Sequence, residues 1–190
     1  SIHAYHEGPG VELVRRAIGN AQGMAPSKPI WLTETSVPAD ARGVGEDGQA
    51  RILLETVLLA LELGVERVFW HTLFDPPSGV PLPRGAMATH SLLRREQGGQ
   101  LGDKPAAPAY RALAGVLNDL PRSAVSALEL QDGHGVMLGE RGWLVSGRSI
   151  RLPVEAKEAR SLATGEAVPL ERSDSSVRVD ATAGVVFVSR

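Results

Sequence analysis

The sequence predicts an α/β fold in its first 121 residues, followed over residues 122–190 by a small all-β module of sandwich type. Three observations lead there. Strand-like runs alternate with helical apolar periods as far as about Leu120, no helical period survives beyond Ser123, and the strands of the first part end in polar side chains. Alternation of that kind belongs to β-α-β units and a parallel sheet, whereas short period-2 runs between glycine turns belong to antiparallel pairing.

The elements follow in order. Ser1-Ile2-His3-Ala4-Tyr5-His6 reads as a strand with no leader before it, so the chain is expected to start within a fold. After Gly8-Pro9-Gly10, residues Val11, Val14 and Ile18 recur at helical spacing until Gly19 and Gly23 weaken the pattern. Pro29 introduces the second strand, Ile30-Trp31-Leu32-Thr33-Glu34-Thr35, which stops before Pro38 because proline has no N–H to donate to a ladder. From Asp47 the apolar positions Ala50, Leu53, Leu54, Val57, Leu58 and Leu61 define a helix that Gly64 ends. Residues 65–74 form the third strand, and its run Val68-Phe69-Trp70 predicts burial on both faces. Residues 75–104 are rich in Pro and Gly and read as a long connection without elements, of the length that functional loops have. A last helix over residues 108–120 ends at Pro121. Six short runs then follow, at 124–130, 136–138, 143–145, 150–152, 177–179 and 185–188.

Composition narrows the function. The 20 Lys and Arg residues against 22 Asp and Glu give a net charge of −2, which provides no electrostatic footprint for nucleic acid or an anionic membrane. No apolar run approaches the roughly 18 residues of a membrane span. The chain has no cysteine, which excludes disulfides, thiolate catalysis and Cys-ligated zinc and fits any compartment, so localisation stays open.

Chemistry gathers at the strand ends: His3, Tyr5 and His6 on the first, Glu34 on the second, His71 and Asp75 on the third. Strand ends hold side chains rigidly while the loops beyond them vary, which is why active sites of β/α barrels lie there. Three units in about 120 residues amount to half of such a barrel, which takes about 250. A zinc or manganese site is disfavoured, because residues 3 and 6 of a strand point to opposite faces and residue 5, on the face of residue 3, is Tyr. A phosphate site is disfavoured as well, since no Gly-rich loop with a Lys joins a strand to a helix. Neither a metal nor any other cofactor is expected. Asp75 before two prolines reads as a loop-start residue, and Trp31 and Trp143 read as structural.

In this order, Ser1-Ile2-His3-Ala4-Tyr5-His6, Ile30-Trp31-Leu32-Thr33-Glu34-Thr35 and Val68-Phe69-Trp70-His71 resemble the sixth, seventh and eighth strands of a clan A glycoside hydrolase, a retaining (β/α)-barrel family. The module from Ser123 on, with Leu162-Ala163-Thr164-Gly165-Glu166, is similar to the β domain appended to many such enzymes. The resemblance implies a partial TIM barrel made of the last three β/α units. It also implies O-glycosidic bond hydrolysis with Glu34 as the nucleophile, Tyr5 and His3 orienting it, Trp70 flooring the sugar site and His71 touching a hydroxyl. The family's acid/base Glu follows an Asn, and no Asn-Glu pair occurs in this sequence. The acid is therefore expected outside this chain, the isolated chain is expected to be inactive, and a non-catalytic carbohydrate-binding or scaffold role is the alternative. The first and third strands would leave unpaired edges, so either self-association or an upstream segment is expected to complete the barrel.

Overall fold

The computed structural model describes residues 1–6, 10–40, 43–76 and 89–190. Strands β1 (Ile2–His3), β2 (Trp31–Thr35) and β3 (Arg67–Trp70) form a parallel sheet in that order. Helices α1 (Glu12–Met24) and α2 (Gly45–Glu62) make the two crossovers, as short parallel neighbours require. Helix α1 runs through Gly19 and Gly23, where the sequence had suggested it would fade, because Val14 and Ile18 are fully buried and packing outweighs the glycine cost. Gly64 stops α2 with a φ of 78°, a left-handed conformation that glycine adopts without strain.

Helix α2 organises the core. Its buried residues include Ile52, Leu53, Leu54 and Thr56 through Ala60, so apolar contact covers two sides of it and leaves a polar stripe of Asp47, Arg51 and Glu55. On one side Ala60 joins Ile2, Ala4, Val14, Ile18, Leu32 and Val65 beneath the parallel sheet. On the other, Leu53, Leu54, Val57 and Leu58 pack with Leu113 of α3 (Ala106–Leu117) and with Val136, Leu138, Leu144 and Val185 of the β module. The second core thus crosses the division expected at residues 121 and 122. His134 of the β module adds a polar tie, with Nδ1 3.0 Å from a Glu62 carboxylate oxygen and Nε2 3.3 Å from Arg15 of α1.

The connection after β3, expected to lack elements, contains a small antiparallel hairpin, β4 (Leu93–Arg95) and β5 (Leu101–Asp103). It turns through Gly98 and Gly99, both at φ 82°. A buried ion pair fixes it in place. Lys104, 3% exposed, lies 2.9 Å from the Asp75 carboxylate and donates to Ser91 Oγ at 3.1 Å and to the Thr89 carbonyl at 3.3 Å.

In the β module all six strands belong to one hydrogen-bonded antiparallel sheet, in the order β10-β11-β8-β7-β6 with β9 also paired to β11. These are β6 (Val125–Ala127), β7 (Gly133–Leu138), β8 (Gly142–Leu152), β9 (Ala159–Ser161), β10 (Leu170–Arg172) and β11 (Val177–Ser189). The runs read separately at 143–145 and 150–152 are one strand, and so are those at 177–179 and 185–188. Each pair is interrupted by an irregularity where Ala181 meets Gly147. Residues on both sides of the irregularity are buried in one cluster that includes Trp143, Val145, Ile150, Val179 and Val188.

Among the described residues, helices pack on one side of the parallel sheet only. Phe69, expected to be buried, is 46% exposed, because alternation along β3 turns it to the face opposite Val68 and Trp70. The ion pair under the hairpin generates a prediction. Lys104→Ala, which leaves Asp75 without its cation, is expected to cost about 3–5 kcal/mol of stability in urea unfolding, and a loss below about 1 kcal/mol would contradict this account.

Candidate active site

Glu34 reaches its position through a β-bulge. Leu32 faces Val68 and Thr35 faces Trp70, so β2 spends three steps where β3 spends two. Against β1 the same shift appears, with Ile2 opposite Leu32 but His3 opposite Glu34. In a regular strand Glu34 would share the face of Leu32, which is fully buried under the helices. The extra residue places it on the other face, together with His3 and Tyr5, while Thr35 is left buried. Thr33 anchors the irregularity by donating its hydroxyl to the Ile2 carbonyl at 3.2 Å.

Three expected residues meet there. The Tyr5 hydroxyl donates to Glu34 Oε2, and His3 Nδ1 lies 3.4 Å from the same oxygen. The hydrogen bond from Tyr5 holds the Glu34 carboxyl below its ordinary pKa; burial opposes this, and the nearby His3 and His71 charges assist. Tyr5 is pushed up to about 12, first by burial and then by the bond to Glu34 and its charge. The pair is therefore a carboxylate and a neutral phenol across the neutral range.

His71 joins them. Its ring stands edge-on to Tyr5 at 6.2 Å between centroids, and its Nδ1 is buried without a hydrogen-bond partner among the described residues. Trp70, expected to floor a sugar, lies on the other side. It shares the face of Val68, packs on the core under α2 and α3, and donates Nε1–H to the His90 carbonyl at 3.0 Å. Parity explains the correction, since consecutive strand residues alternate and only one of positions 70 and 71 can face Tyr5.

The remaining candidates are structural. His6 is 4% exposed and joins β1 to α2: its Nδ1–H donates to the Gly10 carbonyl at 2.8 Å, so Nε2 accepts from Thr56 Oγ1 at 2.9 Å. Burial lowers its pKa, as suits that neutral form. Asp75 serves Lys104, as described. Trp31 is partly exposed beneath the Arg67 guanidinium, 4.7 Å from its ring centroid, and Trp143 is in the β-module core.

Two residues that sequence patterns did not single out complete the surroundings. His90 stands edge-on to Tyr5 at 6.3 Å, and Ser36, fully buried, bonds His90 Nδ1 at 2.7 Å. His90 follows a long Pro/Gly-rich stretch, and no periodicity there fixes its side chain in space. Among the described residues, no group of three or more His, Asp and Glu has the arrangement to hold a metal ion, and the charged groups acting on Glu34 include no second carboxylate.

Comparison with known proteins places the fold. No protein family matches the sequence, and no curated protein matches it either. Among solved structures, the chain is similar to a family 39 glycoside hydrolase from the gut symbiont Bacteroides cellulosilyticus WH2, with a TM-score of 0.64 and 15% identity. The match takes in 92% of this chain and 38% of that one, so the chain spans well under half of its structural relative. The likeness is a distant one of fold, to a glycoside hydrolase of clan A.

The Tyr5–Glu34 pair is testable by titration. Tyr5 is expected to ionise near pH 12 in ultraviolet difference spectra, and Tyr5→Phe is expected to raise the Glu34 pKa towards its ordinary value in carboxyl-selective NMR. The sign follows from linkage: stabilisation from the depressed Glu34 is present above its unfolded pKa and fades as pH falls through the folded one. Stabilisation from the raised Tyr5 is present below pH 10 and fades as pH rises towards 12.

Proposed function

We propose that this chain is the C-terminal part of a retaining O-glycosidase barrel, with Glu34 as the nucleophile. The observation that carries this is the bulge-directed Glu34 carboxylate, kept ionised by Tyr5 on the face of the parallel sheet opposite its helices. The fold shared with a glycoside hydrolase supports it. An ionised carboxylate can attack an anomeric carbon, and a protonated one cannot. Tyr5 sets the direction of the carboxylate, and His3 and His71 offer ring nitrogens to sugar hydroxyls.

Retaining hydrolysis needs a second carboxyl about 5–5.5 Å from the first, to protonate the leaving oxygen and later to activate water. In the first step a Glu34 oxygen would bond to the anomeric carbon as the glycosidic bond breaks, and the leaving oxygen takes the acid's proton. In the second, water replaces Glu34 and returns its proton to that group. No acid adjoins Glu34 among the described residues. We therefore place it on a segment that closes the barrel against the outer edges of β1 and β3, which pair with no other strand among the described residues, supplied by a longer polypeptide or an associated chain. The absence of this acid also favours a second reading, a carbohydrate-binding protein that keeps the cup without the chemistry.

One substitution separates the two. In the assembled protein, Glu34→Gln is expected to lower kcat by several orders of magnitude with an unchanged circular dichroism spectrum. Wild-type turnover in that variant would overturn the nucleophile assignment. Sugar binding without turnover in either protein would favour the second reading.

A further inference from the structure

We infer that His90 is a substrate-positioning hydrogen-bond donor of the Glu34 site, presenting Nε2–H to a hydroxyl oxygen of the bound sugar. This inference rests on the glycosidase reading above. Its first support is the way the backbone around His90 is fastened. The Thr89 carbonyl accepts from the Ala39 N–H at 3.1 Å, from the buried Gln49 amide at 3.1 Å and from Lys104 at 3.3 Å. The His90 carbonyl accepts from Trp70, and Ser91 is tied to Asp75, Lys104 and the Leu93 carbonyl. The fully buried Gln49 and the almost fully buried Lys104, with the segment's own buried Ser91, thus fasten three residues that contribute a single ring to the site. A loop residue with no task beyond covering the sheet does not need that support.

The second support is the tautomer. Ser36 is fully buried and its hydroxyl has one hydrogen to place; among the described residues its only side-chain partner is His90 Nδ1. A buried hydroxyl left without an acceptor costs about 1–3 kcal/mol, so Ser36 donates and Nδ1 accepts. The ring proton then resides on Nε2, which meets no protein partner among the described residues. This is the reverse of His6, where a carbonyl on Nδ1 and the Thr56 hydroxyl on Nε2 use both nitrogens. The buried His6 is fully consumed by structure, whereas the half-buried His90 keeps a donor without a partner among the described residues.

The surroundings keep that donor neutral. Burial and then the His71 charge lower the His90 pKa; Asp40 and Asp75 act the other way and Lys104 adds to the lowering. The rings of His71 and His90 stand 6.2 Å and 6.3 Å from the Tyr5 ring between centroids, at interplanar angles of 89° and 85°. Two imidazoles thus neighbour the nucleophile's partner, and in this reading a sugar lying against Tyr5 meets the His90 donor.

Two experiments test this. On the chain itself, long-range 1H–15N correlation is expected to show His90 with a protonated Nε2 and a bare Nδ1 at neutral pH, changing to a tautomer mixture in Ser36→Ala. A protonated Nδ1 in the wild type would overturn the inference. In the assembled protein, assayed on a panel of 4-nitrophenyl α- and β-glycosides, His90→Ala is expected to lower kcat/KM about 10- to 100-fold. His90→Gln, whose amide can occupy the Nε2 position, is expected to recover most of that loss, with equal melting temperatures throughout. Unchanged kcat/KM in His90→Ala, alongside an inactive Glu34→Gln, would overturn the role of His90 alone. Wild-type turnover in Glu34→Gln, or no hydrolysis of any panel member by the wild type, would overturn the glycosidase reading itself.

Discussion

One extra residue in β2 decides where the chemistry of this chain can take place. A strand fixes the side of each residue by parity, and Leu32 is committed to the helices. Without the bulge, a carboxylate two residues later would be forced among Val14, Ile18 and Ala60, at a cost of several kcal/mol with no cation to offset it. With the bulge, Glu34 meets a phenol and a histidine instead, and the vacated place goes to Thr35. Backbone irregularity and side-chain ionisation are here two aspects of one arrangement.

The polar network behind the site is uneven in a telling way. Donors outnumber acceptors around Glu34: the Tyr5 hydroxyl and the imidazoles of His3 and His71 all bear on one carboxylate. Such surroundings favour negative charge and disfavour its protonation. They suit a group that must act as an anion, and they give no place to a group that must carry a proton. A second carboxyl with a raised pKa would need a drier and less cationic setting than this side of the cup provides.

Much of the fold was legible in the sequence, and the failures share a cause. Period-2 and period-3.6 patterns located the three parallel strands and all three helices, because burial on one side leaves a repeating mark. Patterns cannot count irregularities, however. The bend at Gly147 and Ala181 made two long strands read as four short ones, and the residues that turn the β4–β5 hairpin read only as a glycine-rich loop. At the candidate site, the polar strand ends singled out Glu34, Tyr5, His3 and His71, which the structure brings together. Trp70 was misplaced because its large ring invited a sugar, whereas parity sends it to the core. His90 was invisible because its position is set by Lys104, Asp75 and Gln49, contacts that are remote along the chain and carry no local signature.

The enclosure of α2 bears on how such a chain can be divided. A helix with apolar contact on two sides belongs to two layers at once, so the antiparallel sheet is a wall of the same building and not an annex. Cutting after residue 121 would strip Leu54 and Leu58 of the cover given by Leu138, Leu144 and Val185, and the strand carrying Glu34 would then lean on a helix half exposed to water. Trimming meant to isolate the part that carries Glu34 would undermine the very scaffold it sought to keep, and shuffling of the β module must carry its partner helix along.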